Sequence, residues 1–285
     1  MQRSFWQQSL IFQSKIFSHL YCCLVGQKIR RQRRGRPFSV SLEPARCVAI
    51  LAPHMDDEII GCGGMMQRYV RQGTRAIIIY LTDGAYGLSG EEWKRHNRRR
   101  IQESEQSTDL LGIHERFYLQ QPDGALTADS SVRFQLTSIL HRERPEIVYL
   151  PYPCDPHSDH RQTFLIMKEI IRQGRLDAAS FFYQIRVPIP VRLISTILDI
   201  SSSAALKKQA LGCFVSQDQL DFKLLLHLQR CQGYLLGWRP RLVEVFARID
   251  AAIWQWSPAD LSSAGAPILG HRQVPFQALT GSAEN

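Results

Sequence analysis

Short uninterrupted apolar runs alternate along this chain with longer segments in which apolar residues recur every three to four positions. The first pattern suits strands and the second amphipathic helices. Cys47 to Leu51 reads as a strand, and Glu58 to Arg71 as a helix stopped by Gly73. AIIIYL, Ala76 to Leu81, is apolar throughout, as expected of a strand covered on both faces. The polar loop TDGAYGLSG leads to a long helix from Glu91 to Leu111, ended by Gly112. There follow a strand at Glu115 to Leu119, a turn at Pro122-Asp123-Gly124, a helix at Asp129 to Arg142 and a strand at Glu146 to Leu150. A helix from His160 to Gln173, stopped by Gly174, and a strand from Ser180 to Val187 complete the series.

This alternation predicts an α/β fold: three layers, Rossmann-like, with a mostly parallel sheet between helices and ligand sites at the carboxyl ends of the strands. Beyond Val187 the pattern changes. Pro188 and Pro190 break the chain, helices are expected over Ala204 to Phe214 and Gln219 to Leu236, and RLVEVFARI, Arg241 to Ile249, reads as a late strand or a short helix. The Ser-, Ala-, Gly- and Pro-containing tail over 257–285 is expected to be poorly ordered. Three segments result: a leader over 1–36, one domain over 37–256, and the tail.

Charge singles out the leader. Of the net charge of +9, six units come from Lys28, Arg30, Arg31, Arg33, Arg34 and Arg36, a tract without an acid. It follows a segment in which Trp6, Leu10, Phe17, Leu20, Tyr21 and Leu24 have helical spacing but Gln7, Gln8, Gln13, Lys15 and His19 interrupt the apolar face. That is too polar for a bilayer-spanning helix and lacks the order of a signal peptide. It fits an amphipathic helix with a polybasic tract on an anionic membrane surface; a disordered leader or a misplaced start fits equally. The tract has no interleaved aromatics, so nucleic acid is not an expected partner. Seven cysteines without a C-x-x-C pair, several in apolar stretches, read as a reducing compartment. The expected location is therefore cytoplasmic, either free or peripheral on the inner face of the membrane. Nothing in the sequence bears on oligomeric state.

Two polar clusters interrupt the apolar pattern, each just after a predicted strand. LAPHMDDEIIGCGG places His54, Asp56, Asp57 and Glu58 at one strand end, and PYPCDPHSDHR places His157, Asp159 and His160 at another. Crowded carboxylates repel one another and resist burial unless a cation or hydrogen bonds compensate them. A helix cap would use one acid and leave the others and His54 unexplained; a divalent metal uses the set. His54 with Asp57 and His157 with His160 are both spaced i, i+3, so each pair can face one point from a helix start. Cys154 is near enough to be a ligand, although a loop thiol is more often a bystander. GCGG, Gly61 to Gly64, lacks the G-x-G-x-x-G spacing and follows acids that would repel a pyrophosphate, so its glycines are expected to let the helix pack closely on the sheet. KRHNRRR, Lys94 to Arg100, reads as a solvated helix face. Arg100 is the exception, its guanidinium expected to be oriented by Glu103 toward a substrate. No G-x-S-x-G elbow supports a serine hydrolase.

With both clusters in place, the chain resembles the PIG-L/LmbE-type de-N-acetylases, zinc enzymes that remove acetyl from N-acetylglucosamine-containing glycans, glycolipids and glycoconjugates. The family's A-H-P-D-D-E stands here as PHMDDE, Pro53 to Glu58, and its H-P-D-H as HSDH, His157 to His160. The likeness extends through RIQES at Arg100, LLG before Ile113, PDG at Pro122, RPEIV at Arg144, LDIS at Leu198, KKQAL and SQ, and so covers about Arg46 to Ile249. The resemblance implies that His54, Asp57 and His160 bind the metal, Zn2+ or another divalent ion such as Fe2+. It implies Asp56 as general base, His157 as electrophilic or general-acid histidine held by Asp159, and Arg100 as a substrate contact. The implied activity is hydrolysis of the acetamide of an N-acetylated amino sugar. Met55 and Ser158 replace prolines of the family pattern, which bears on turn geometry and not on the reacting groups. The competing readings are a catalytically silent, membrane-associated sugar- or lipid-binding subunit on the same fold, and a metal-dependent hydrolase of another bond, which a single metal disfavours.

Overall fold

The structure, a computed structural model, describes residues 38–217, 221–235, 241–258 and 260. The leader over 1–36 and nearly all of the tail lie outside the described residues, as do both ends of the helix expected over Gln219 to Leu236.

In chain order the elements are β1 (Cys47–Ala52), α1 (Asp57–Arg71), β2 (Arg75–Thr82), α2 (Gly90–Leu110), β3 (Glu115–Gln121), α3 (Ser130–Glu143), β4 (Ile147–Pro151), α4 (Ser158–Arg172), β5 (Ala179–Tyr183), β6 (Thr196–Asp199), α5 (Ala204–Leu211), α6 (Phe222–Gln232) and β7 (Val243–Ile249). The seven strands form one sheet in the order β3-β2-β1-β4-β5-β7-β6. The first five are parallel, and β7 runs antiparallel to both β5 and β6. The expected mostly parallel three-layer fold is thus present.

The period-two rule sorts the core. In β1, Cys47, Ala49 and Leu51 join one apolar cluster with residues of α3 and α4, whereas Val48, Ile50 and Ala52 join another with residues of α1 and α5. Strands buried on both faces in this way show no polar alternation, which is why they read as solid apolar runs.

One expectation is corrected, one open alternative is decided and one strand is added. The strand expected to reach Val187 ends at Tyr183, where β4 also ends and the Tyr152 N–H closes the pair on the Tyr183 carbonyl. Arg241 to Ile249, left open between strand and helix, contains a strand, β7, because it fills the space between β5 and β6. β6 was not foreseen: it is four residues long and, among the described residues, pairs with β7 and, by a single bridge, with Ser39.

α1, the helix that begins at the first polar cluster, is gripped from the side. Glu244 of β7 accepts from Gly64 N at 2.8 Å and Met65 N at 2.7 Å. Ile60 O accepts from Lys207 Nζ at 2.7 Å and Gln229 Nε2 at 2.8 Å. Lys207 and Glu244, both fully buried, pair at 2.7 Å. The glycines give the close approach expected of them: a Cβ on Gly61 would lie 2.2 Å from the Tyr183 ring, and one on Gly64 2.5 Å from Ile200.

β1 pairs with β2 on one side and β4 on the other, so the connections leave it in opposite directions. At such a switch point a crevice opens beyond the carboxyl ends of the strands. Among the described residues, no helix is long and apolar enough to cross a membrane.

Candidate active site

Loops from five strands meet in that crevice. His54 and the start of α1 follow β1, Gly84 follows β2, Asp123 follows β3, His157 and His160 stand at the start of α4 after β4, and Arg186 follows β5. They line a cavity of about 90 Å3 together with Asp56, Asp57, Ile60, Arg100, Ile185 and Gln217. Asp123 is delivered by an irregularity in β3, where the register slips between Tyr80 and Thr82 and sends the chain into the Pro122-Asp123-Gly124 turn.

Asp57 is the hub. Its Oδ2 lies 3.1 Å from His54 Nδ1 and 3.3 Å from His160 Nε2, and also accepts from the His54 N–H at 3.0 Å. Asp155 Oδ1 stands 3.1 Å from His160 Nδ1 on the far side of that ring. His54 Nε2 lies 3.2 Å from both Asp123 Oδ1 and Asp159 Oδ2. His157 packs edge-on against His54, ring centres 4.3 Å apart. Two overlapping sets bring ligand atoms close enough together for one ion: His54, His157 and His160, and His54, Asp123, His157 and Asp159. His54, Asp57 and His160 are joined through the Asp57 contacts.

Five buried polar atoms here have no partner in hydrogen-bond geometry among the described residues: Asp123 Oδ1, both ring nitrogens of His160, and Nε and one terminal nitrogen of Arg100. Buried polar groups are rarely left so, and their concentration in one place marks where an ion and a polar ligand would complete them. Imidazole nitrogens mixed with carboxylate oxygens suit a divalent transition ion, and the carboxylate behind His160 is the usual support of a ligand ring. The donor set fits a metal.

Burial and charge divide the acids sharply. Asp57 is held well below the usual carboxylate range: burial works the other way, but His160 and His54 outweigh it. Burial pushes Asp56 up to about 6 against the opposing charge of Arg100, whose guanidinium lies 3.6 Å away. Glu58 is pushed up to about 8, by burial first and then by the Asp56 charge. It turns away from the cavity, accepting from the Tyr80 hydroxyl at 2.8 Å and the Asp56 N–H at 3.1 Å. The three-acid crowd is thus relieved in part by one acid retaining its proton. For His160, burial alone would favour the neutral ring, yet Asp57 and Asp155 raise it to about 9. His54 is likewise raised by its three carboxylates against burial.

All seven sequence-derived residues, His54, Asp56, Asp57, Arg100, His157, Asp159 and His160, converge on this crevice. Two supporting contacts differ from expectation. The Asp159 carboxylate does not hold His157: it lies 3.9 Å from His157 Nδ1, and turns to His54 and to the Gly124 N–H at 2.8 Å. His157 is accordingly lowered, by burial and then by His54 and His160. Glu103 lies 3.9 Å from Arg100 and accepts from the Ser216 N–H at 2.9 Å, so Arg100 is positioned instead by the Met55 carbonyl and the Phe214 ring. Cys154 stays outside the cluster, its thiol donating to the Pro258 carbonyl at 3.4 Å. Asp123, Asp155 and Arg186 received no role from the sequence. Asp123 stood in a turn motif and Asp155 beside the second cluster, but nothing in their spacing shows that the sheet folds them onto His54 and His160.

Residues 49–171 match the family described as PIG-L, GlcNAc-PI de-N-acetylase. Diacetylchitobiose deacetylase of Thermococcus kodakarensis is 34% identical over 119 residues, 40% of this chain and 45% of that protein. The match thus spans less than half of this curated relative's length. Among solved structures, N,N'-diacetylchitobiose deacetylase from Pyrococcus horikoshii, complexed with an inhibitor, is similar with a TM-score of 0.64 and 26% identity over 75% of this chain and 87% of that one. The 4-carboxy-2-hydroxymuconate hydratase of Pseudomonas putida is similar with a TM-score of 0.61 at 19% identity, over 72% of this chain and 96% of that one, a likeness of fold alone. One fold thus serves different reactions, and activity has to be read from the site. The segment that holds both polar clusters, residues 49–171, is thus a domain of the PIG-L de-N-acetylase family.

Proposed function

We propose that this chain is a metal-dependent hydrolase that removes acetyl from an N-acetylated amino sugar. The observation that carries the reading is the convergence of His54, Asp57 and His160 through Asp57 Oδ2, with Asp56 and His157 beside them in a cavity too small for a whole sugar. Pockets that enclose a small ligand run to roughly 300–1,000 Å3; one of about 90 Å3 suits a substituent such as an acetamido group.

His54, Asp57 and His160 would hold the ion. A Zn2+- or Fe2+-class ion in such a site polarises the amide carbonyl and lowers the pKa of a water toward about 7. Asp56, buried and not needed as a ligand, takes the proton of the attacking water. His157 faces the cavity and, as a neutral N–H donor, stabilises the charge that develops on the carbonyl oxygen, while the proton taken up by Asp56 passes on to the departing amine. Arg100 offers its unpartnered nitrogens to an acceptor on the substrate and sets the charge on Asp56 through their contact.

The test is acetate release from N-acetylglucosamine and from N,N'-diacetylchitobiose, with metal content measured on the same sample. Release that is lost on chelation and restored by Zn2+ or Fe2+ supports the proposal. Binding of either sugar with no release by metal-loaded protein returns the silent binding subunit and refutes hydrolysis.

A further inference from the structure

We infer that Tyr86 forms an aromatic platform at the mouth of the site, on which a second sugar ring of the substrate rests. The inference builds on the deacetylase reading and adds a subsite outside the cavity. If the cavity admits only the acetamido end, the acetylated ring covers the mouth and the next ring lies beyond it. Tyr86 is outside the cavity lining, follows the lining residue Gly84 by two positions and is 75% exposed, which places it for that next ring. Its ring is held from one side, because Gly124 brings its backbone so close that a Cβ would lie 2.5 Å from Cε2 of the ring. Gly124 follows Asp123, whose carboxylate meets His54, and its own N–H donates to Asp159. The turn that supplies cavity groups is therefore the turn that props the ring. Isolated exposed apolar side chains are ordinary on a surface; an exposed aromatic braced against a glycine at a site mouth has a use. The face of a tyrosine ring carries the negative part of its quadrupole, and the C–H bonds on one face of a pyranose present the complementary positive edge. A flat ring also contributes area with little side-chain freedom to lose.

The inference makes Tyr86 a determinant of glycan length. Kinetics are compared for wild type, Tyr86→Ala and Tyr86→Phe on N-acetylglucosamine and N,N'-diacetylchitobiose. Binding of the disaccharide is measured separately by calorimetry in an Asp56→Asn background, where turnover does not interfere. The expected result for Tyr86→Ala is a KM for the disaccharide raised about tenfold, equivalent to about 1.4 kcal/mol, at little change in kcat, with kcat/KM for the monosaccharide moving no more than about twofold and Tyr86→Phe behaving as wild type. Equal losses on both sugars, no loss on either, or a Tyr86→Phe defect as large as that of Tyr86→Ala overturns it. The calorimetric arm separates this inference from the reaction. Disaccharide binding that weakens in Tyr86→Ala while no acetate is ever released keeps the platform and removes the hydrolase. Binding unaltered by the substitution, or absent from the parent protein, removes the platform whatever the turnover.

Discussion

Asp56 and His160 stand within one cluster but have different tasks, and substitution separates them. Asp56→Asn is expected to retain the metal and lose about 10²–10⁴-fold in kcat, the usual worth of a positioned proton acceptor. His160→Gln is expected to lose both, seen as a lower metal-to-protein ratio. An Asp56→Asn protein with full turnover would remove the proton acceptor from the scheme. His160 was legible from residue type and spacing, because two i, i+3 pairs at strand ends form a pattern along the chain, and Asp56 from the family motif in which it stands. Their partners were not. Asp155 behind His160 and Asp123 beside His54 are ordinary loop acids until the sheet places them.

The elements supply the stability predictions. Lys207 and Glu244 are buried without solvent contact, so Lys207→Met leaves the Glu244 carboxylate uncompensated and is expected to cost about 3–5 kcal/mol in denaturant unfolding. Gly64→Ala drives a methyl to 2.5 Å from Ile200 and is expected to cost about 1–3 kcal/mol, more than Gly63→Ala, whose methyl would stand 3.3 Å from the nearest atom of Lys207. At the other end of the sheet, Arg75 of β2 pairs with Glu115 of β3 and with Glu143 at the end of α3. The Arg75 hydrogen bond holds Glu143 below its ordinary value of 4.5, so the pair stabilises the fold above about pH 4.5 and the contribution disappears as pH falls through the lowered value. Thermal melts of wild type and Glu143→Gln are expected to differ at pH 7, by no more than about 1 kcal/mol for a pair with an exposed arginine, and to converge in acid. A gap that widens in acid would contradict this. None of these contacts has a periodic trace: Lys207 and Glu244 lie in segments read only as a helix and as a strand or helix. β6 shows the same limit, since four residues after two prolines carry too little pattern.

For the whole molecule, the uneven charge makes a prediction of its own. If the leader sits on an anionic membrane surface, replacing Lys28, Arg30, Arg31, Arg33, Arg34 and Arg36 with glutamine in the full chain should abolish sedimentation with phosphatidylserine vesicles. Each basic residue near such a surface is worth about 1 kcal/mol, and high salt should mimic the change. Hydrolysis of a soluble disaccharide should be unaffected. The sequence by itself determined the layers, the parallel core strands and, through the two motifs that carry the family resemblance, seven residues that meet in one crevice, because apolar runs, helical periodicity, glycine stops and short motifs are local properties of the chain. The tertiary structure decided which carboxylates surround each histidine, that Asp159 lies closer to His54 than to His157, that Glu244 and Lys207 grip α1 from the side, and that Tyr86 is braced against Gly124. Those outcomes depend on contacts between residues up to 180 positions apart, and distance in space is set only when the switch between β1 and β4 brings their loops to one crevice.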